Sequence, residues 1–168
     1  MAVAAALLPE FDHEMAGCRR TLERVPGDRF GFRPHPKSMT LGRLANHLAS
    51  VPAWLVQAME STQRRFVDPE DATRAPLAAE TPEAVLDLFD RSVRAARAAL
   101  AGASDADLED PWTGRSHDGR ELFTLPRRVV YQRFILDHMI HHRAQLTVYL
   151  RLLDLPVPAL YGPTADEG

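Results

Sequence analysis

The 168-residue chain holds one cysteine, Cys18. No intrachain disulfide can form, and a lone thiol fits the reducing environment of a cytoplasm. No uninterrupted apolar run is long enough to span a bilayer. The opening AVAAALL has no Lys or Arg before it and is closed by Pro9 and Glu10, so it reads as the lead-in to a helix rather than a signal peptide. Basic excess is missing too. Twenty Lys and Arg stand against 23 Asp and Glu, a net charge of −3. The Arg pairs at 19–20, 64–65 and 127–128 are scattered and read as solvated charges on exposed faces, not as a stripe for nucleic acid. Alternating strand patterns are scarce, and no internal repeat or low-complexity tract is present.

What the chain does have is helical periodicity. Phe11, Met15, Cys18 and Leu22 share one helix face. This helix stops before VPGDRFGFRPHPKS, whose prolines and glycines forbid regular structure. Thr40 is placed to cap a second helix whose stripe is Leu41, Leu44, His47, Leu48, Val51, Trp54 and Leu55, with Pro52 expected to kink or split it. Residues 62–80 read as a polar crossover loop. Thr81-Pro82-Glu83 is a strong start signal for a third helix, running through Val85, Leu88, Phe89 and Ala96 to about Leu100, with Gly102 as its cap. Ser104 is placed to cap a short turn before Pro111-Trp112, and TGRSHDGREL reads as a loop or small hairpin. Thr124 and Pro126 open a fourth helix that reaches about Leu153, and the tail LPVPALYGPTADEG reads as extended. The expectation is a single all-α domain over residues 1–168, a four-helix bundle with long inter-helix loops.

The fourth helix carries the chemistry. With roughly 100° per residue, Tyr131, Phe134, Ile135, His142, Gln145, Tyr149, Leu152 and Leu153 fall within roughly 60° of His138. Arg133, Arg143 and Arg151 fall on the far side, expected in solvent. His138 and His142 are one turn apart, close enough to share an ion. His47 shares an apolar face with Leu44, Val51, Trp54 and Ala58 and is the candidate third ligand. Three neutral imidazoles would leave a coordination position open, the pattern of catalytic sites. The residues alone leave two readings, ligands or hydrogen-bonded core histidines. HMIHH has no Glu after its first His, so the zincin motif and its built-in base are absent. His13, His35 and His117 read as surface residues and His141 as a flank of the stripe. Cys18 reads as core rather than as a nucleophile.

RPHPKSMTLGRLANHLA, FILDHMIHHRAQLTVYLRLL and PVPALYGPTADE together resemble the DinB/YfiT-like family of small bacterial four-helix proteins, over most of the chain. The resemblance implies an up-down-down-up bundle, often a homodimer. It implies a divalent metal, commonly nickel or zinc, on three histidines that match His47, His138 and His142. Relatives of known activity include transferases and isomerases that use low-molecular-weight thiols. The expected function is therefore a metal-dependent thiol S-transferase acting on a small-molecule electrophile, with Gln145 or Tyr131 orienting water or substrate. The alternatives are a hydrolase that uses metal-bound water and a non-catalytic, metal-stabilised stress protein. Ala144 stands where the family usually has Gly, and Asp137 and Met139 where Glu is common.

Overall fold

The computed structural model describes residues 3–68, 71 and 75–167. Residues 69–70 and 72–74 of the expected crossover lie outside the described residues. In chain order come α1 (Val3–Leu22), a 3-10 turn (Gly27–Arg29), α2 (Leu41–Ser50), α3 (Ala53–Glu60) and β1 (Gln63–Arg65). Then follow α4 (Pro82–Gly102), α5 (Asp105–Glu109), β2 (Pro111–Arg115), β3 (Glu121–Pro126) and α6 (Arg127–Val130). A π-helical segment, Tyr131–Leu136, joins α6 to α7 (Asp137–Leu152). No described helix is long and apolar enough to cross a membrane.

The local start signals act as their chemistry requires. The hydroxyl of Thr40 accepts from the backbone of Arg43, and that of Thr81 from Ala84, so each satisfies an N–H that its helix leaves free. Ser104 and Asp107 form a reciprocal capping box on α5. Pro52 has no N–H and splits its helix into α2 and α3. Pro9, by contrast, does not close the opening segment. It lies inside α1, which starts at Val3. The stripe Phe11, Met15, Cys18 and Leu22 is fully buried against Val85, Phe89, Ala96 and Leu100 of α4 and Leu146 and Tyr149 of α7.

The expected all-helical architecture needs one correction, because the chain is mostly helical but also holds a three-stranded sheet in the order β1-β2-β3. The β2–β3 hairpin is antiparallel, with an irregularity between Gly114 and Arg115. A Cβ on Gly114 would stand 2.5 Å from the Phe123 ring, so only glycine lets that ring lie across the strand. β1 then adds in parallel, pairing Gln63 with Thr113 and Arg65 with Arg115. One face of this sheet packs Trp112 and Phe123 onto Ala58, Val130 and Phe134 in a second, aromatic core. Arg127 rivets the layer together. It is buried and donates to the carbonyls of Ala58, Ser61 and Asp107 and to the Asp110 carboxylate.

The extended tail folds back onto the helices. The Asp166 carboxylate accepts from Arg151 and from the backbone of Val157, and Glu167 pairs with Arg24. Tyr161 reaches α1 and α7. Its hydroxyl donates to Glu14 at 2.8 Å and accepts from Arg143. Arg143 closes the ring on Glu14 at 2.7 Å. Gly17 makes room for that guanidinium, since a Cβ there would lie 2.6 Å from it. Two basic residues expected in solvent, Arg127 and Arg143, are therefore buried and internally paired.

Candidate metal centre

Two elements carry the three histidines: α2 holds His47, and α7 holds His138 and His142 one turn apart. Their rings meet at the rim of the core. His142 is buried, while His47 and His138 are half-buried. One ligand atom from each lies within 4.8 Å of the others. Ring centroids are 5.0, 4.5 and 4.4 Å apart, with planes crossing at 68°, 88° and 76°. Edges thus converge while faces do not stack. Nitrogens about 2.1 Å from one ion in tetrahedral array stand about 3.4 Å apart, inside the range seen here.

The partners of each ring favour the same reading. His142 Nδ1 lies 2.8 Å from Gln145 Oε1. An amide oxygen only accepts, so Nδ1 carries the proton and Nε2 keeps its lone pair. That Nε2 has no hydrogen-bond partner among the described residues. The Nε2 atoms of His47 and His138 stand 2.8 Å apart, a spacing at which one must give up its proton or both must share a cation. Burial, then the neighbouring His142 and His138, lowers the His47 pKa to about 3. Burial, then His142 and His141, lowers that of His138 to about 4. Burial also lowers His142, against the opposing hydrogen bond that its ring donates to Gln145. All three rings are held neutral at pH 7, the form that offers lone pairs to a divalent ion. These residues fit such an ion. No carboxylate or thiol joins the cluster among the described residues.

The wheel placed the histidines at the centre of the buried stripe. The buried residues of α7 are Met139, His142, Arg143, Leu146, Tyr149 and Leu150, so the stripe is centred about 80° away and His138 lies on its edge. Gln145 and Leu152 are exposed. An edge position is what opens the site to solvent. Gln145 is brought to the triad through His142. Tyr131 is buried, its hydroxyl has no hydrogen bond, and burial and then Glu10, Asp12 and Glu14 of α1 raise its pKa. The reason is the π segment. Asp137 N–H bonds to Gln132 five residues back, which inserts a residue relative to an α-turn. Everything before it is rotated by about 100° against a regular wheel.

His141 is exposed, 5.0 Å from His142. His13 and His35 are exposed, and His117 is exposed beside Asp68. Ala144 points outward, so its methyl disturbs no helix contact, whereas Met139 is fully buried. The residue that spacing underrated is Trp54. Its ring lies 5.6 Å from His47 and 5.5 Å from His138 and walls one side of the triad. The other side opens on a solvent cavity of about 250 Å³ lined by Lys37, Ser38, His142, Gln145 and Tyr149.

A predominantly helical fold with three imidazoles from two helices gathered at its rim defines a small helical protein with a possible metal centre. Residues 10–146 match the DinB superfamily, and the chain belongs to that family. It is 27% identical over 163 residues to YrdA of Bacillus subtilis (strain 168), an uncharacterized protein, covering 95% of this chain and 89% of that one. Its fold is similar to that of a DinB-like protein from Bacillus cereus ATCC 10987, with a TM-score of 0.71, 21% identity and 95% and 98% of the two chains covered. It is also similar to the DinB-like protein YjoA of Bacillus subtilis, with a TM-score of 0.69, 16% identity and 94% and 99% covered.

Proposed function

We propose that the protein is a metal-dependent thiol S-transferase. His47, His138 and His142 bind nickel or zinc through Nε2, and an external low-molecular-weight thiol is joined to a small electrophile. The observation that carries this reading is the set of three neutral imidazoles with no carboxylate among them, half-open to solvent. A divalent ion bound there supplies positive charge that holds a small thiol as its thiolate at neutral pH. The new bond joins sulfur to an electrophilic carbon, whose leaving group departs with the bonding pair.

The chain's own residues do the rest. Gln145 fixes the His142 tautomer. Trp54 screens one side of the triad from water. Cys18 does not compete, because burial pushes its thiol up to about 12 and it lies in the core. The sulfur therefore comes from outside. A hydrolase would need a base to take a proton from water, and the cluster offers none. We read the helical arms as the family's up-down-down-up arrangement and the assembly as a homodimer.

Elemental analysis of tag-free protein, followed by turnover of a model electrophile with a panel of small thiols, tests the proposal. Stoichiometric metal and thiol-dependent turnover abolished by chelation are expected. Metal-loaded protein that accelerates no thiol reaction would refute it, and thiol-independent hydrolysis would favour the metal-bound-water alternative.

A further inference from the structure

Beyond Trp54 lies Arg64. Strand alternation sends Gln63 and Arg65 of β1 outward and turns Arg64 in. Its guanidinium carbon sits 4.9 Å from the Trp54 ring centroid. Trp54, Arg64, Phe66, Trp112 and Phe134 line a small, partly open cavity of about 20 Å³.

Buried and partly exposed arginines elsewhere among the described residues have acceptors. Arg127 holds Asp110 and three carbonyls, Arg143 holds Glu14 and Tyr161, Arg19 holds Asp90, and Arg115 holds Gln63. The Arg64 guanidinium makes no hydrogen bond or ion pair among the described residues. Its partner among them is the indole face of Trp54. Burial lowers its pKa, the mark of a cation short of water and of a counter-charge. The contact holds the guanidinium over the ring and leaves its N–H donors free for a carboxylate.

We propose that Arg64 recognises the carboxylate of a small acid bound at the triad, either the thiol or the electrophile. This rests on the function proposed above and names the substrate class of the same site. The ligand's acid end sits at the guanidinium, and its arm follows the edge of the Trp54 ring, which contacts Arg64 as well as the His47 and His138 rings. The cavity holds about one water or methyl group, so the arm is short. Its lining beside Arg64 is aromatic and aliphatic, so the arm is uncharged.

The chain's two tryptophans, Trp54 and Trp112, both line this cavity, so their emission reports occupancy and calorimetry confirms it. The probes are 3-mercaptopropionate, 2-mercaptoethanol and propionate, each with metal-loaded protein. The acidic thiol is expected to bind at least about tenfold tighter than the neutral one, the scale of one charge-assisted hydrogen bond. Arg64→Gln removes that advantage, and Arg64→Lys restores part of it. Equal binding of the two thiols, or a preference that survives Arg64→Gln, overturns the proposal. Arg64-dependent binding of propionate without binding of either thiol supports the carboxylate site while counting against the transferase reading. Turnover with the carboxylate on the thiol alone, then on the electrophile alone, shows whose KM rises in Arg64→Gln and so which of them carries the acid.

Discussion

His142 and Arg143 are neighbours in the chain, and their side chains enter two different polar clusters. Arg143 is 2% exposed and meets Glu14, 5% exposed, and Tyr161 in a ring where every member has a partner. His142 meets His47 and His138 in a cluster where a nitrogen lone pair is left over. The first network is closed by the protein itself. The second is left open by the described residues and could hold an ion from outside. Both bury polar groups, but only the second keeps an unsatisfied valence facing solvent, and that separates a structural cluster from a functional one.

Breaking the closed cluster should have the largest effect. Arg143→Met leaves the Glu14 carboxylate buried without its cation and is expected to cost about 3–5 kcal/mol in urea unfolding. Adding Glu14→Leu should recover most of that loss, because no charge is then stranded. If the double variant is as unstable as the single one, the pair is not what holds α7 against α1.

Breaking the open cluster should do the reverse. His142→Ala is expected to lower metal affinity by at least about a hundredfold, more than loss of an outer partner costs. A competing chromophoric chelator measures this. Metal-free stability should shift by only about 1 kcal/mol, as for a rim position. A collapse on the scale of Arg143→Met would make the triad a structural plug.

The contrast was half legible in the sequence. His47, HMIHH and the caps at Thr40, Thr81 and Ser104 are local patterns, and each decides its own geometry within a turn or two. Arg143 was not legible, because its counter-charge lies 129 residues away and an arginine on a regular wheel defaults to solvent. β1 was missed for the same reason. Three residues, QRR, show no strand pattern until β2 presents a partner edge. Trp54 and Arg64 were each visible as residues, but their contact depends on that strand.

Acid separates the clusters by a different route. The His47 and His138 pKa values are near 3 and 4 when folded and near 6.5 when unfolded. Above pH 6.5 neither state binds these protons, so stability is flat. As pH falls from 6.5 towards 4, the unfolded chain takes up protons that the folded one refuses, and stability declines. A His47→Ala/His138→Ala variant should flatten that decline in chelator-treated protein, followed by urea midpoints at pH 7.5, 6 and 5. An unchanged slope would place the pH dependence elsewhere.

Gln145 offers a smaller test. Gln145→Leu frees the His142 ring and its tautomer, and metal affinity should fall about tenfold, the lower end for an outer partner. Unfolding should barely move, since Gln145 is exposed.

Tyr131 should give the smallest effect and the sharpest contrast with Gln145. Both fall near His138 on a regular wheel, and both suit the task of orienting a ligand or water. The π segment turns Tyr131 towards the acidic side of α1, where its hydroxyl is buried without a hydrogen bond. Tyr131→Phe therefore removes an unsatisfied polar atom and keeps the ring. It should leave metal affinity unchanged and stabilise the fold by up to about 1 kcal/mol. A fall in metal affinity matching that of Gln145→Leu would mean that the phenol reaches the triad, and that the helix runs regularly through residues 131–136.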